Sequence, residues 1–207
     1  MKIGIIGGGN VGKALARLAT AAGHSVSIGS QRDGAPGVDG AVSTTVADAV
    51  AHGEIVILAI PFAACAEALP PLAEALAGRI VVDATNPVAA DWSPLSLGEG
   101  NSAALEIARL LPGARLVKAF NTVFADVMTP ERLVRVGNAK TTAFIAADDE
   151  QAATRVAEFA ASMGFEPQRA GKLANAAFLE AMAHLNIAIA LAGGGTDAAF
   201  VYDRKAG

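Results

Sequence analysis

Apolar runs of strand length alternate with helical spacings from the first residues onward. Lys2–Ile6 reads as a buried strand. Val11, Leu15, Leu18 and Ala22 follow along one helix face, and Gly23 can end that helix in a left-handed turn. Ser25–Gly29 reads as a second strand, 30–40 as a loop rich in Gly and Asp, and 41–43 as a short third strand, with a small helix from Thr45. Residues 55–60 form the most hydrophobic strand, ended by Pro61, and the helix after it is interrupted at Pro70 and Pro71. Residues 80–84 are the fifth strand. The polar loop 85–100 is long for a compact domain, which points to function. Asn101 or Ser102 caps a helix to Leu111, and 116–120 is the sixth strand. Weaker strands at 142–146 and 165–168 flank a helix over 150–163, and a last helix covers 175–192.

This alternation predicts an α/β fold with a doubly wound, mainly parallel sheet, helices on both faces and strand order 3-2-1-4-5-6. Residues 1–138 make the first domain, and 139–207 a small helical and strand extension of the same body. In the last helix, Phe178, Met182, Leu185 and Ile189 form one apolar stripe, while Ile187 and Leu191 are apolar off it. A helix apolar on more than one side wants a second partner, either its own subunit or a homodimer mate.

Composition narrows the class. Hydrophobic residues make up 53% and charged ones 17%, which excludes a disordered chain. The net charge of -4 favours neither nucleic acid nor an anionic membrane. The run 55–66 contains Pro61 and is too short to span a bilayer, and the N-terminus goes straight into a strand. The single cysteine, Cys65, cannot form an internal disulfide, which suits a cytoplasmic protein.

The first strand runs into Gly7-Gly8-Gly9-Asn10-Val11-Gly12, a G-x-G-x-x-G sequence between strand and helix. In that context Gly7 allows the tight turn, Gly9 lets backbone approach a pyrophosphate, and Gly12 permits close helix–sheet packing. The helix N-terminus then offers N–H groups and partial positive charge to phosphates. The domain is therefore expected to be a dinucleotide-binding Rossmann fold. At the end of the second strand stand Ser30, Gln31 and Arg32, with no carboxylate before Asp33. A hydroxyl and a guanidinium suit the 2′-phosphate of NADP(H) better than the bare ribose of NAD(H).

Three segments reach the carboxyl edge of the sheet, where ligands bind in such folds. They contain Ile60 and Pro61, Asn86 and Pro87, and Ala119 and Asn121. Apolar surface with a few amides and hydroxyls suits a nicotinamide and a second flat ring. Acid–base groups are scarce. His24 and His52 read as capping or surface residues, His184 as packed, and Lys118 as a solvated or sheet-end lysine. No metal-ligand cluster or nucleophile triad stands out, so neither a catalytic side chain nor a metal is assigned. Hydride transfer between two aligned rings needs no obligatory proton shuttle.

The segments Ile5 to Gly12, Ile28 to Arg32, Leu58 to Pro61, Asp83 to Pro87 and Val117 to Thr122 resemble the NADPH-dependent reductases of the deazaflavin coenzyme F420. Gly171 to Ala177 resembles that family's C-terminal segment. The family also includes the cytoplasmic domain of six-transmembrane ferric reductases, which uses a flavin. The resemblance implies that Gly8, Gly9, Asn10 and Val11 hold the pyrophosphate, that Ser30, Gln31 and Arg32 surround the 2′-phosphate, that Ile60, Asn86 and Ala119 line the nicotinamide, and that Leu173 helps cover the deazaflavin. Two positions depart from the family pattern. Gln31 separates Ser30 from Arg32, and Lys172 stands where relatives carry proline. Two other readings fit the same nucleotide site. One is reduction of a small imine or carbonyl compound, with Lys118 or Tyr202 as the proton donor. The other is a non-catalytic NADP(H)-sensing module.

Overall fold

The computed structural model describes residues 1–30 and 37–204. Eight strands form one sheet: β1 Lys2–Ile6, β2 Ser25–Gly29, β3 Ala41–Thr44, β4 Ile55–Leu58, β5 Ile80–Asp83, β6 Arg115–Ala119, β7 Thr142–Ala147 and β8 Glu166–Arg169. Their order is β3-β2-β1-β4-β5-β6-β7-β8, so the first six have the expected doubly wound arrangement. All neighbours pair parallel except β6 and β7. The chain belongs to the α/β Rossmann-like class.

The helices are α1 Asn10–Ala21, α2 Val46–His52, α3 Cys65–Ala68, α4 Ala73–Leu76, α5 Ala103–Leu110, α6 Pro130–Leu133, α7 Glu150–Ser162 and α8 Ala176–Ile189. Pro70 and Pro71 break α3 from α4 through a 3-10 turn, as expected of residues that lack a donor. Ser102, not Asn101, caps α5, accepting from the Leu105 N–H.

Strand side chains alternate between two packed faces, as in a sheet covered on both sides. In β4, Ile55 and Ile57 join the core under α1 and α7, while Val56 and Leu58 join the one containing Leu69, Leu76 and Ile107. Cys65 is buried in the second core. Burial pushes its thiol up to about 12, so it is a packing residue.

Two strand ends differ from expectation. β4 stops at Leu58, because the Ala59 N–H makes the last bond to the Ile6 carbonyl and β1 then turns away at Gly7. β6 stops at Ala119, because Phe120 takes a left-handed backbone with φ +65°. Both early exits free strand-end residues to reach over the carboxyl edge.

The last helix also differs. Phe178, Leu185 and Ile189 of the expected stripe are exposed. The buried face is Ala176, Leu179, Glu180, Ala183, Asn186 and Ile187. Small Ala176 and Ala183 allow close approach, and the buried carboxylate has partners, so a less apolar face wins. The segment Leu173–Gly194 is long and apolar enough to cross a membrane by length and composition, with mean hydropathy 1.5. Its Glu180 nevertheless faces the protein interior.

Candidate active site

The glycine loop is built as its sequence requires. Gly7 has φ +118°, and a Cβ there would overlap the Ala59 carbonyl. Its N–H donates to the Gly29 carbonyl at 2.9 Å, tying the loop to the end of β2. A Cβ on Gly12 would overlap the Gly7 carbonyl, so the loop and α1 pack too closely for any side chain. Gly9 is different, since a Cβ there would meet nothing within 4 Å. Gly9 precedes α1 in extended conformation with no side-chain cap, which leaves the first-turn N–H groups without a side-chain acceptor among the described residues. That open cradle above uncapped N–H groups fits a pyrophosphate. Ser30 lies at the end of β2, and Gln31 and Arg32 lie outside the described residues.

A cavity of about 390 Å³ opens beside this cradle. Asn10 and Val11 form its near wall, Ala84 and Asn86 of the loop after β5 one side, and Phe120 to Asp126 after β6 the floor. Asn186, Ile187, Ala190 and Leu191 form the far wall, and Trp92 stands at the rim. The far wall ends in a π-helical segment, Ala190–Gly194, a distortion frequent at functional sites.

Asn86 and Asn121 lock the cavity's polar edge together. Asn86 Nδ2 donates to the Asn121 carbonyl at 2.8 Å, and Asn121 Nδ2 donates to Asn86 Oδ1 at 2.9 Å. Asn121 Nδ2 also donates to the Leu179 carbonyl at 3.1 Å, which fixes its amide orientation. Asn121 Oδ1 is buried without a donor among the described residues.

The structure thus brings Asn10, Val11, Asn86 and Asn121 to one cavity. Ile60 and Pro61 sit at the end of β4 and do not line it. Ala119 and Pro87 are buried, Ala119 facing the first core. Leu173 is 5% exposed in the second core and does not reach the cavity. Its N–H donates to Asp148 Oδ1, which draws the segment under the sheet. Sequence reasoning missed Trp92, Phe124, Asp126, Asn186, Ile187 and Leu191. Two signals were available: the sole tryptophan stands in an over-long polar loop, and an amide interrupts an apolar helix.

The reading of Lys118 is overturned. Its side chain is fully buried, with Nζ 2.9 Å from Asp83 Oδ2, 2.9 Å from Glu180 Oε1 and 2.7 Å from the Thr85 carbonyl. Strands on both sides and α8 above exclude water, and these oxygens satisfy the ammonium instead. Lys118 is therefore structural. Tyr202 packs edge-on against Phe144 of β7, away from the cavity. The histidines are structural too. His24 bonds Ser162 Oγ at 2.8 Å, and burial first, then the N-terminal amine, lowers its pKa. His52 donates to the Ser25 carbonyl, and His184 donates to the Pro87 carbonyl at 3.2 Å.

Residues 2–87 match the family described as NADP oxidoreductase, coenzyme F420-dependent. Across 210 residues the chain is 31% identical to the F420-dependent NADP reductase of Methanothermobacter marburgensis, covering 90% of this chain and 91% of that one. The chain belongs to this family. Over 184 residues it is also 34% identical to the metalloreductase STEAP3 of Rattus norvegicus, covering 87% of this chain but only 36% of that protein's length. A crystal structure of a candidate F420-dependent NADP-reductase from Arthrobacter sp. FB24 superposes with a TM-score of 0.86 at 28% identity, covering 99% of this chain and 100% of that one. Family membership makes this chain an NADP-dependent oxidoreductase, and the open cradle at Gly9 agrees with it.

Proposed function

We propose that this chain passes hydride between NADP(H) and a planar deazaflavin or flavin acceptor. One observation carries the reading: the phosphate cradle opens directly onto a cavity of about 390 Å³ whose wall is apolar apart from amides, hydroxyls and one carboxylate. That volume is in the usual range for a small-molecule site. In this reading Gly8, Gly9, Asn10 and Val11 hold the pyrophosphate, while Ser30, Gln31 and Arg32 take the 2′-phosphate. Asn86 and Asn121 orient the nicotinamide edge, Pro87 and Ala119, buried next to Asn86 and Phe120 in the chain, hold those lining residues in place, and Ile60 and Pro61 stay outside the cavity. When bound, the nicotinamide supplies or takes the hydride. The chain aligns the rings and keeps water out. Leu173 is buried among core residues and does not cover the acceptor in this cavity.

Reduction of an imine or carbonyl compound would call for a proton donor, and the fully buried Lys118 and the remote Tyr202 cannot serve, which leaves Asp126 as the ionisable group that the described cavity wall offers to that reading. The ring-sized cavity argues against a sensor alone.

We also read the exposed face of α8 as a homodimer contact. It offers Phe178, Leu185 and Ile189, and the one charge on α8, Glu180, is turned inward, so a second copy fits this face better than a charged partner. Glu180's buried ion pair supports a core role for α8 rather than a membrane span. Dependence on NADP(H) and a free, buried Cys65 support a cytoplasmic location.

The decisive experiment is NADPH oxidation by the purified protein with coenzyme F420, FMN, FAD or no acceptor, repeated with NADH. Turnover with the deazaflavin or a flavin, at a strong preference for NADPH, is expected. Tight NADPH binding without turnover on any of them would overturn the reading.

A further inference from the structure

We propose that Trp92 is the stacking surface for the acceptor ring and sets which acceptors this chain takes; the inference rests on the hydride-transfer reading above. The loop between β5 and α5 is a built structure. An antiparallel bridge pairs Val88 with Pro94, closed by Ala89 N–H to the Ser93 carbonyl at 2.9 Å and Trp92 N–H to the Ala89 carbonyl at 3.0 Å. Leu95 N–H donates to the Pro87 carbonyl at 2.8 Å, and His184 anchors the same carbonyl to α8. Asp91 Oδ1 accepts from both the N–H and the hydroxyl of Ser93. These bonds fix the tip.

At that tip Trp92 has φ +69°, a backbone that a bulky side chain rarely adopts. Trp92 is 58% exposed, yet it lines the cavity. A tryptophan held in an unfavourable backbone and left in water contributes little to the core. Leu191 lies on the same cavity from the π-helical segment and is 67% exposed. Two large apolar side chains uncovered at one cavity mouth mark a ligand surface. Among the described residues, the one ionisable side chain on the cavity wall is Asp126. The described wall thus offers no cation to an anionic group. The fitting ligand is a fused planar ring that enters with an uncharged end, and an indole face suits it by offset stacking.

The chain has a single tryptophan, so its fluorescence reports this contact alone. The test adds riboflavin, FMN or coenzyme F420 to protein saturated with NADP⁺, conditions under which no hydride moves. Wild type, Trp92→Phe and Trp92→Ala are compared by quenching of tryptophan in wild type and by ligand fluorescence in all three. The expected result is quenching in wild type and a Kd raised about tenfold in Trp92→Ala. Trp92→Phe should recover most of the affinity, and NADP⁺ binding should stay within about twofold in both variants. Equal ring affinity in wild type and Trp92→Ala would overturn the stacking role while leaving the hydride-transfer reading standing. Absence of binding of any of the three rings to wild type that binds NADP⁺ would overturn both.

Discussion

Lys118 of β6 and Glu180 of α8 form an ion pair at 2.9 Å with the ammonium side chain fully buried and the carboxylate 4% exposed. Asp83 is a second carboxylate on the same ammonium, and the Ala103 and Ala104 N–H groups at the start of α5 donate to Glu180. One lysine thus joins two strands, the loop leading to Asn86, and two helices. The cluster holds two negative charges against one positive, and the N-terminus of α5 offsets the excess.

This arrangement predicts unequal losses. Lys118→Met strands two buried carboxylates and should cost about 3–5 kcal/mol. Glu180→Gln keeps one of the two oxygens that accept from α5, turns an amide NH2 toward the Ala103 N–H, and leaves a balanced Lys118–Asp83 pair, so it should cost about 1–3 kcal/mol. Urea unfolding of both variants checks the order, and a loss for Glu180→Gln as large as that for Lys118→Met would sink the assignment of Lys118 as the hub.

The glycine loop separates folding from binding. Gly12→Ala places a Cβ on the Gly7 carbonyl and should lower Tm by several degrees. Gly9→Ala meets no protein atom within 4 Å, so Tm should hold while NADPH affinity falls at least about tenfold. Thermal melts paired with NADPH titration test it. Unchanged NADPH affinity in Gly9→Ala would move the phosphates elsewhere.

Arg32 carries the preference for NADPH in the proposed site. Arg32→Ala should weaken NADPH binding by roughly 10- to 150-fold, the equivalent of one charge-assisted contact, with little change for NADH. Equal losses for the two nucleotides would remove the 2′-phosphate from its role.

Asp149 predicts an acid-dependent step in stability. Its carboxylate takes two bonds from Arg115, at 2.6 and 2.8 Å, and caps α7 by accepting from the Ala152 N–H. The Arg115 hydrogen bonds first, then the Ala152 N–H, hold its carboxyl well below the ordinary carboxylate range. A carboxyl with lowered pKa stabilises the fold above its unfolded pKa of about 4, and that contribution is lost as pH falls below it. The Tm difference between wild type and Asp149→Asn should therefore be largest near neutral pH and shrink progressively below about pH 4. A difference independent of pH would assign the effect to packing alone.

The exposed stripe of α8 predicts a concentration-dependent dimer. Leu185→Glu with Ile189→Glu should give monomers by analytical ultracentrifugation, with the circular dichroism of the wild type retained. A wild-type chain that sediments as a monomer at micromolar concentration would discard the contact.

The sequence by itself determined the strand order β3-β2-β1-β4-β5-β6, the glycine loop and the position of α1, because these rest on local patterns. A buried parallel strand needs a continuous apolar run, and a strand-to-helix turn against a phosphate needs glycine at set positions. Asn10, Val11, Asn86 and Asn121 were legible for the same reason, since each stands at a strand end or helix start. The tertiary structure alone decided which face of α8 turns inward. The buried face owes its place to Lys118 and the start of α5, partners distant in sequence, so helical periodicity showed two apolar sides without saying which turns inward. Distance along the chain likewise hid the cavity wall. Trp92, Phe120 and Ile187 meet there only because a loop hairpin, a left-handed strand exit and a helix end converge on one edge of the sheet, and no local pattern encodes that convergence.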